Sequence, residues 1–237
     1  MIPDTPVAAL RDQRGMTLIE LLVSMIVLGV VSTMIYTSWI DMNRSYAYTV
    51  NSNVTRDDAR QATARMEREI RDAEPTAAAN GSLIYASPYW ICFTTTFNNP
   101  DAALATAAPH LTVYRLYTDN TLWKFEDADN NGTISGISMS DAYHSGGSPN
   151  VAEETTGEGA IKLTGNVANL FGTPTPLFSY CYFASTGASV VASGVPTSNL
   201  YYQDVQVTAV LIHLKVDLNP LHPPVYVDFQ TTATFRN

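Results

Sequence analysis

Arg14-Gly15-Met16-Thr17-Leu18-Ile19-Glu20-Leu21-Leu22-Val23 runs without a break into an apolar stretch that closes at Ser38-Trp39-Ile40. Residues 21–40 are about twenty positions, and at roughly 1.5 Å per helical residue they cover about 30 Å, the hydrocarbon thickness of a bilayer. The sequence therefore predicts a helix able to cross a membrane. Its unusual feature is one carboxylate, Glu20, near the start of an otherwise lipid-soluble run. An acidic residue at the middle of such a helix costs about 2.5 to 3.5 kcal/mol to insert, so Glu20 needs a partner, and the run itself offers none. A cleaved secretory signal has a short apolar region followed by small residues at the cut. This run is long and ends on an interfacial Trp, which leaves a plain anchor as the simpler alternative.

The segment Gly15-Met16-Thr17-Leu18-Ile19-Glu20-Leu21-Leu22-Val23 resembles the N-terminal signal of type IV pilins and type II secretion pseudopilins. The resemblance implies that a prepilin peptidase cuts after Gly15 and methylates the new terminus at Met16, where phenylalanine is the usual residue. Met is also flexible and apolar, so processing is expected to survive the difference. It implies further that Glu20 faces the freed amine of a neighbouring subunit in the apolar core of a filament. Two unit charges at about 4 Å gain about 1 kcal/mol in water but about 4 at an effective dielectric of 20. The expected partners are the peptidase, other pilin or pseudopilin subunits, membrane lipid before assembly, and an inner-membrane assembly platform with its ATPase. The expected location is the inner membrane with a single pass and the C-terminal domain outside, then the pilus or pseudopilus.

The chain of 237 residues allows one sizeable domain beyond the helix, and 46% hydrophobic with 15% charged residues fits a folded protein rather than a disordered one. A net charge of −9 with only Lys124, Lys162 and Lys215 as lysines argues against direct nucleic-acid binding, which needs clustered cations to replace counterions. The organisation expected is a leader at 1–15, a transmembrane and filament-core helix at 16–40, an amphipathic continuation at 41–74, and an extracytoplasmic β-rich domain at 75–237. In the continuation Val50, Val54, Ala62, Met66 and Ile70 form an apolar stripe among Arg56, Asp57, Asp58, Arg60, Arg65, Glu67, Arg68, Glu69 and Arg71. Arg65/Glu69 and Glu67/Arg71 have the i,i+4 spacing of helical ion pairs, and the charged side reads as a solvated face, with ion pairing between subunits the lesser alternative. Pro75 stops the helix.

From about residue 83 the pattern changes to β-branched and aromatic runs. Strands are expected at 90–96, 111–118 and 121–126, the last two forming a hairpin across the two-residue turn Asp119-Asn120. Residues 127–159 are rich in Gly, Ser, Asp and Asn and read as a long surface excursion. Further strands are expected at 160–163, 177–184, 205–218 and 225–236. In the last, Val225, Val227, Phe229, Thr231, Ala233 and Phe235 alternate with polar neighbours, so one face is buried. In 205–218 the apolar phase shifts near Ala209-Val210, which implies a bulge or a strand covered on both sides. The fold class is α+β, a long N-terminal helix laid across an antiparallel sheet. Leu163-Thr164-Gly165-Asn166-Val167, Phe178-Ser179-Tyr180, the strand at 205–216 and the closing Arg236-Asn237 are similar to W-type minor pilins and J-type minor pseudopilins. That resemblance implies a place in an initiating or tip complex.

Asp127, Asp129 and Asn131, followed by Gly132 and Ile134, resemble the front half of a calcium loop, but Ser138 stands where a closing glutamate is needed. An Asp/Asn-rich turn explains the same residues, so Ca2+ and a plain turn both stay open. Cys92 and Cys181 either form a disulfide, which an extracytoplasmic compartment permits, or remain buried thiols. His110, His144, His213 and His222 are scattered, without zinc spacing, nucleophile turn or phosphate loop, so no enzyme is expected. The rival function is a membrane-anchored adhesin or calcium-dependent binding domain.

Overall fold

The computed structural model describes residues 17–73, 83–97, 109–127, 159–183, 189–192, 207–219 and 224–235. Helix α1, Leu18–Arg71, is continuous. By its contacts the chain divides into two units, 1–49 and 50–237.

In the first unit α1 is long and apolar enough to cross a membrane, and its most apolar window buries nothing within the chain. Its hydroxyl groups bond back to their own helix: Ser24 donates to the Glu20 carbonyl at 2.7 Å, Thr33 to Val30 at 2.7 Å and Thr37 to Met34 at 3.0 Å. The segment therefore presents few unsatisfied polar groups to an apolar surrounding.

In the second unit the rest of α1 packs on two antiparallel sheets. The first holds β1 (Leu83–Ala86), β2 (Trp90–Thr95), β3 (His110–Leu116), β4 (Leu122–Glu126) and β5 (Ile161–Thr164) in sequential order. The second holds β6 (Phe178–Phe183), β7 (Ser189–Ala192), β8 (Val207–Asp217) and β9 (Tyr226–Thr234), ordered β7-β6-β8-β9. The single sheet expected from the sequence is thus divided. The segment after β5 joins the two: Val167 N–H donates to the Asn120 carbonyl and Ala168 N–H to that of Lys215. Beside it, the fully buried Asn169 side chain accepts from Lys215 N–H at 2.8 Å and donates to the His213 carbonyl at 2.7 Å.

The main core lies under α1 and draws on both sheets, with Ala59, Ala62, Met66 and Ile70 meeting Phe93, Tyr114, Phe178, Tyr180, Ile212 and Leu214. Of the expected stripe Ala62, Met66 and Ile70 are buried, Val50 and Val54 are exposed, and Ala59 joins the buried side. Strand alternation sends Trp90, Cys92, Val113, Trp123 and Phe125 to the other face of the first sheet, where they form a second cluster. Both faces of β2 are covered, and all its side chains are buried.

One local expectation needs correction and a second is decided between its alternatives. The β3–β4 connection is a three-residue loop, Thr118-Asp119-Asn120, because Tyr117 N–H donates to the Thr121 carbonyl and Asn120 N–H closes a turn on Tyr117. Only Asn120 takes positive φ, 65°, as in a type I turn followed by a bulge. The phase shift in β8 is a bulge: Cys181 pairs with Ala209 and Tyr182 with Val207, leaving Thr208 extra.

Candidate functional site

Two regions carry the chemistry, one in each unit. In the first, Thr17 caps α1: Glu20 N–H bonds the Thr17 hydroxyl at 3.3 Å, and Glu20 and Leu21 N–H bond its carbonyl. Thr17 and Glu20 thus have the spacing of a capping box, and an acidic residue in the first turn complements the helix dipole. The Glu20 side chain is exposed on the surface of the helix. Gly15 and Met16 lie outside the described residues.

In the second unit, the charged run of α1 is only partly a solvated face. Glu69 is fully buried, and its carboxylate accepts from the Tyr114 hydroxyl at 2.5 Å, from Lys124 Nζ at 2.6 Å and from Arg65 Nε at 2.9 Å. Lys124, also fully buried, contacts Glu126 as well, and Arg65 reaches Glu126 at 3.7 Å. Strand register explains the gathering. Tyr114 pairs with Lys124 and Thr112 with Glu126, so all four point to the helix side of the sheet, where α1 delivers Arg65 and Glu69 from successive turns. Two carboxylates meet two cations, and the cluster is neutral in sum. Burial, followed by the Glu69 charge, raises the Tyr114 phenol well above its ordinary range, so it stays a donor. A second helix contact lies on the other sheet, where the Thr231 hydroxyl donates to Glu67 at 2.7 Å while Glu67 also pairs with Arg71.

The sequence pairing of Arg65 with Glu69 is present, but the cluster around it was missed. The available signal was Lys124, one of three lysines in the chain, placed between Trp123 and Phe125 in an apolar strand. A cation there must find an acid.

His110 sits beside this cluster, its Nε2 4.0 Å from Glu126 and its Nδ1 buried without a hydrogen bond. Burial lowers its pKa below 6.5, against the opposing pull of Glu126, Glu69 and Asp127 and with the help of Lys124. In the folded domain His110 is therefore neutral where the unfolded chain would take a proton, and stability falls as pH drops below that ordinary value. The thermal midpoint should decline between about pH 7 and about pH 5.5, and His110→Asn should flatten that decline.

The remaining predicted residues are dispersed. Asp127 is buried just after β4, where its N–H donates to the Leu111 carbonyl at 2.9 Å, while Asp129 and Asn131 lie outside the described residues. Among the described residues no group of three or more His, Cys, Asp or Glu side chains is gathered to hold a metal. Of the two alternatives for Cys92 and Cys181, the structure has free thiols, Cys92 buried and Cys181 half-buried. Alternation is the reason: Ile91, Phe93 and Tyr180 face the common core, so Cys92 and Cys181 turn away from it on different sheets. Burial also pushes the Cys92 thiol up, which makes it unreactive.

The prokaryotic N-terminal methylation motif matches residues 10–36. It spans the start of α1, including Gly15, Met16 and Glu20. No curated protein matches the chain.

Proposed function

We propose, from the premise that this chain is a pilin-like or pseudopilin-like subunit bearing the prepilin methylation motif, that it is a minor subunit of a type IV pilus or secretion-type filament. In this reading it acts by position and shape. The peptidase removes residues 1–15 and methylates Met16, and the apolar helix then moves from lipid into the filament core. The assembly platform and its ATPase drive that movement, and the subunit takes its place in the initiating or tip complex.

The observation that carries the reading is the coincidence of the motif at 10–36 with the start of an exposed membrane-length helix that continues into a folded α+β domain. Moving this helix from lipid to a protein core exchanges one apolar surrounding for another, so the hydrophobic effect contributes little to the choice. Packing and the pairing of Glu20 with a neighbour's terminal amine are left to direct it. Arrangement in a tip complex rests on the similarity of the C-terminal strands to W-type and J-type minor subunits.

Mass spectrometry of the mature protein tests the first step. The expected species begins at a methylated Met16 and co-purifies with other filament subunits in small amount. Functional protein that retains residue 1, or a filament made mainly of this chain, would overturn the assignment.

A further inference from the structure

Residues 21–40 of α1 carry no Asp, Glu, Lys, Arg or His, and a carboxylate closes the run at each end, Glu20 and Asp41, with Arg44 just beyond. The helix rises about 31 Å between the two carboxylates, against a hydrocarbon layer of about 30 Å. A span that fills the layer therefore leaves both of them at its boundaries. Drawing Leu18 and Ile19 in as well would need about 34 Å and would carry Glu20 into the apolar layer, where an acid is costly.

The far boundary is marked independently. Tyr36 and Trp39 are exposed in the last turns of the run, and Tyr46 follows beyond it. Such rings settle where hydrocarbon meets headgroups. With Trp39 at that level, Glu20 lies about 28 Å away along the helix, at the opposite boundary. Helical side chains lean toward the N-terminus, so the Glu20 carboxylate is directed out of the apolar layer rather than into it. Within the chain it has no company there. Glu20 is exposed, Thr17 and Ser24 bond only its backbone N–H and C=O, and among the described residues its carboxylate accepts no hydrogen bond and forms no ion pair. Arg14 lies outside the described residues and, on the reading above, leaves with the leader.

We propose that, before assembly, the Glu20 carboxylate pairs with a lipid headgroup that carries a primary ammonium. This rests on the reading of the chain as a membrane-inserted filament subunit. Charge complementarity selects the occupant. An ammonium with N–H bonds neutralises a carboxylate and donates to it at once, whereas a quaternary ammonium offers charge without a donor and a phosphate repels. The pairing also makes assembly an exchange of like for like. The lipid's ammonium gives way to the terminal amine of a neighbouring subunit, and at neither stage does the carboxylate stand bare in an apolar surrounding.

The test uses the protein purified from its native membrane, reconstituted in vesicles of phosphatidylethanolamine and phosphatidylglycerol and treated with a lipid-soluble carbodiimide. The reagent activates a carboxyl group, a primary amine in contact with it then forms the amide, and the displaced oxygen leaves with the reagent as a urea. Mass spectrometry should find phosphatidylethanolamine joined to Glu20. Replacing that lipid by phosphatidylcholine should abolish the adduct, and so should Glu20→Gln. A carboxylate moved about 12 Å deeper, in the protein with both Glu20→Gln and Leu28→Glu, should couple to lipid less than about one-tenth as often. Glu20 that stays unmodified or carries only the carbodiimide's own adduct overturns the proposal, and so does equal coupling at position 28. The same spectra read the N-terminus. A chain that begins at methylated Met16 and lacks the lipid amide sinks the pairing alone, whereas the amide on a chain that matures with residue 1 attached sinks the filament reading and spares the pairing.

Discussion

Lys124→Met should destabilise the second unit by about 3 to 5 kcal/mol, the cost of removing one partner from a buried ion pair. Met nearly matches the lysine stem in volume, so the loss is electrostatic rather than a cavity. Without the ammonium, Glu69 is left fully buried with Arg65 and the Tyr114 hydroxyl, and Glu126 loses its nearest cation. Glu69→Leu should cost less, because Lys124 keeps Glu126. The informative protein is the double variant. Removing both members of the buried pair should leave it more stable than Lys124→Met alone, since no charge is then stranded on the helix side of β4. Denaturant unfolding followed by the fluorescence of Trp90 and Trp123 reads all three. Strict additivity of the two single effects would mean that Glu69 and Lys124 do not depend on each other.

That cluster also shows where sequence reasoning stops. Helix α1 was legible almost to the residue, because an unbroken apolar run and a 3.6-residue stripe leave little choice of element. The β2, β3 and β4 strands and the alternation in β9 were legible for the same local reason. Charged residues on α1 were another matter. Glu67 and Glu69 sit in the same run of charge, yet one is partly exposed and the other wholly enclosed. The difference comes from Lys124 and Tyr114, which lie far away in the chain and reach Glu69 only through the pairing of β3 with β4. Periodicity carries no information about such partners. The division into two sheets was hidden likewise, since it depends on Val167 and Asn169 bridging to Asn120 and β8 rather than on any strand's own pattern. The cysteines were left open for a related reason: apolar surroundings do not tell on which face of its sheet each thiol lies.

Glu20→Gln should leave membrane insertion intact and lower incorporation into filaments by about tenfold to a hundredfold. The substitution separates two roles that fall to one residue. Gln is the other residue accepted at the third position of a capping box, so the Thr17 cap and the start of α1 should be preserved. Only the charge is lost. If Glu20 served mainly to begin the helix, Gln would assemble as well as Glu, and Glu20→Leu, which keeps the Thr17 bond to its backbone N–H but loses the polar side chain of the capping-box position along with the charge, would be the damaging change. If the carboxylate is there for a neighbour's terminal amine, both variants fail alike, although Leu makes the segment easier to insert in lipid. The size follows from the surroundings. A pair at about 4 Å gains about 4 kcal/mol at an effective dielectric of 20, and desolvation of both charges returns part of that, leaving about 1.4 to 2.8 kcal/mol, which is the stated factor. Quantitative immunoblotting of membrane and sheared-filament fractions measures both ends of the comparison. Equal incorporation of the parent and the Glu20→Gln protein would return the carboxylate to its local task at the head of α1.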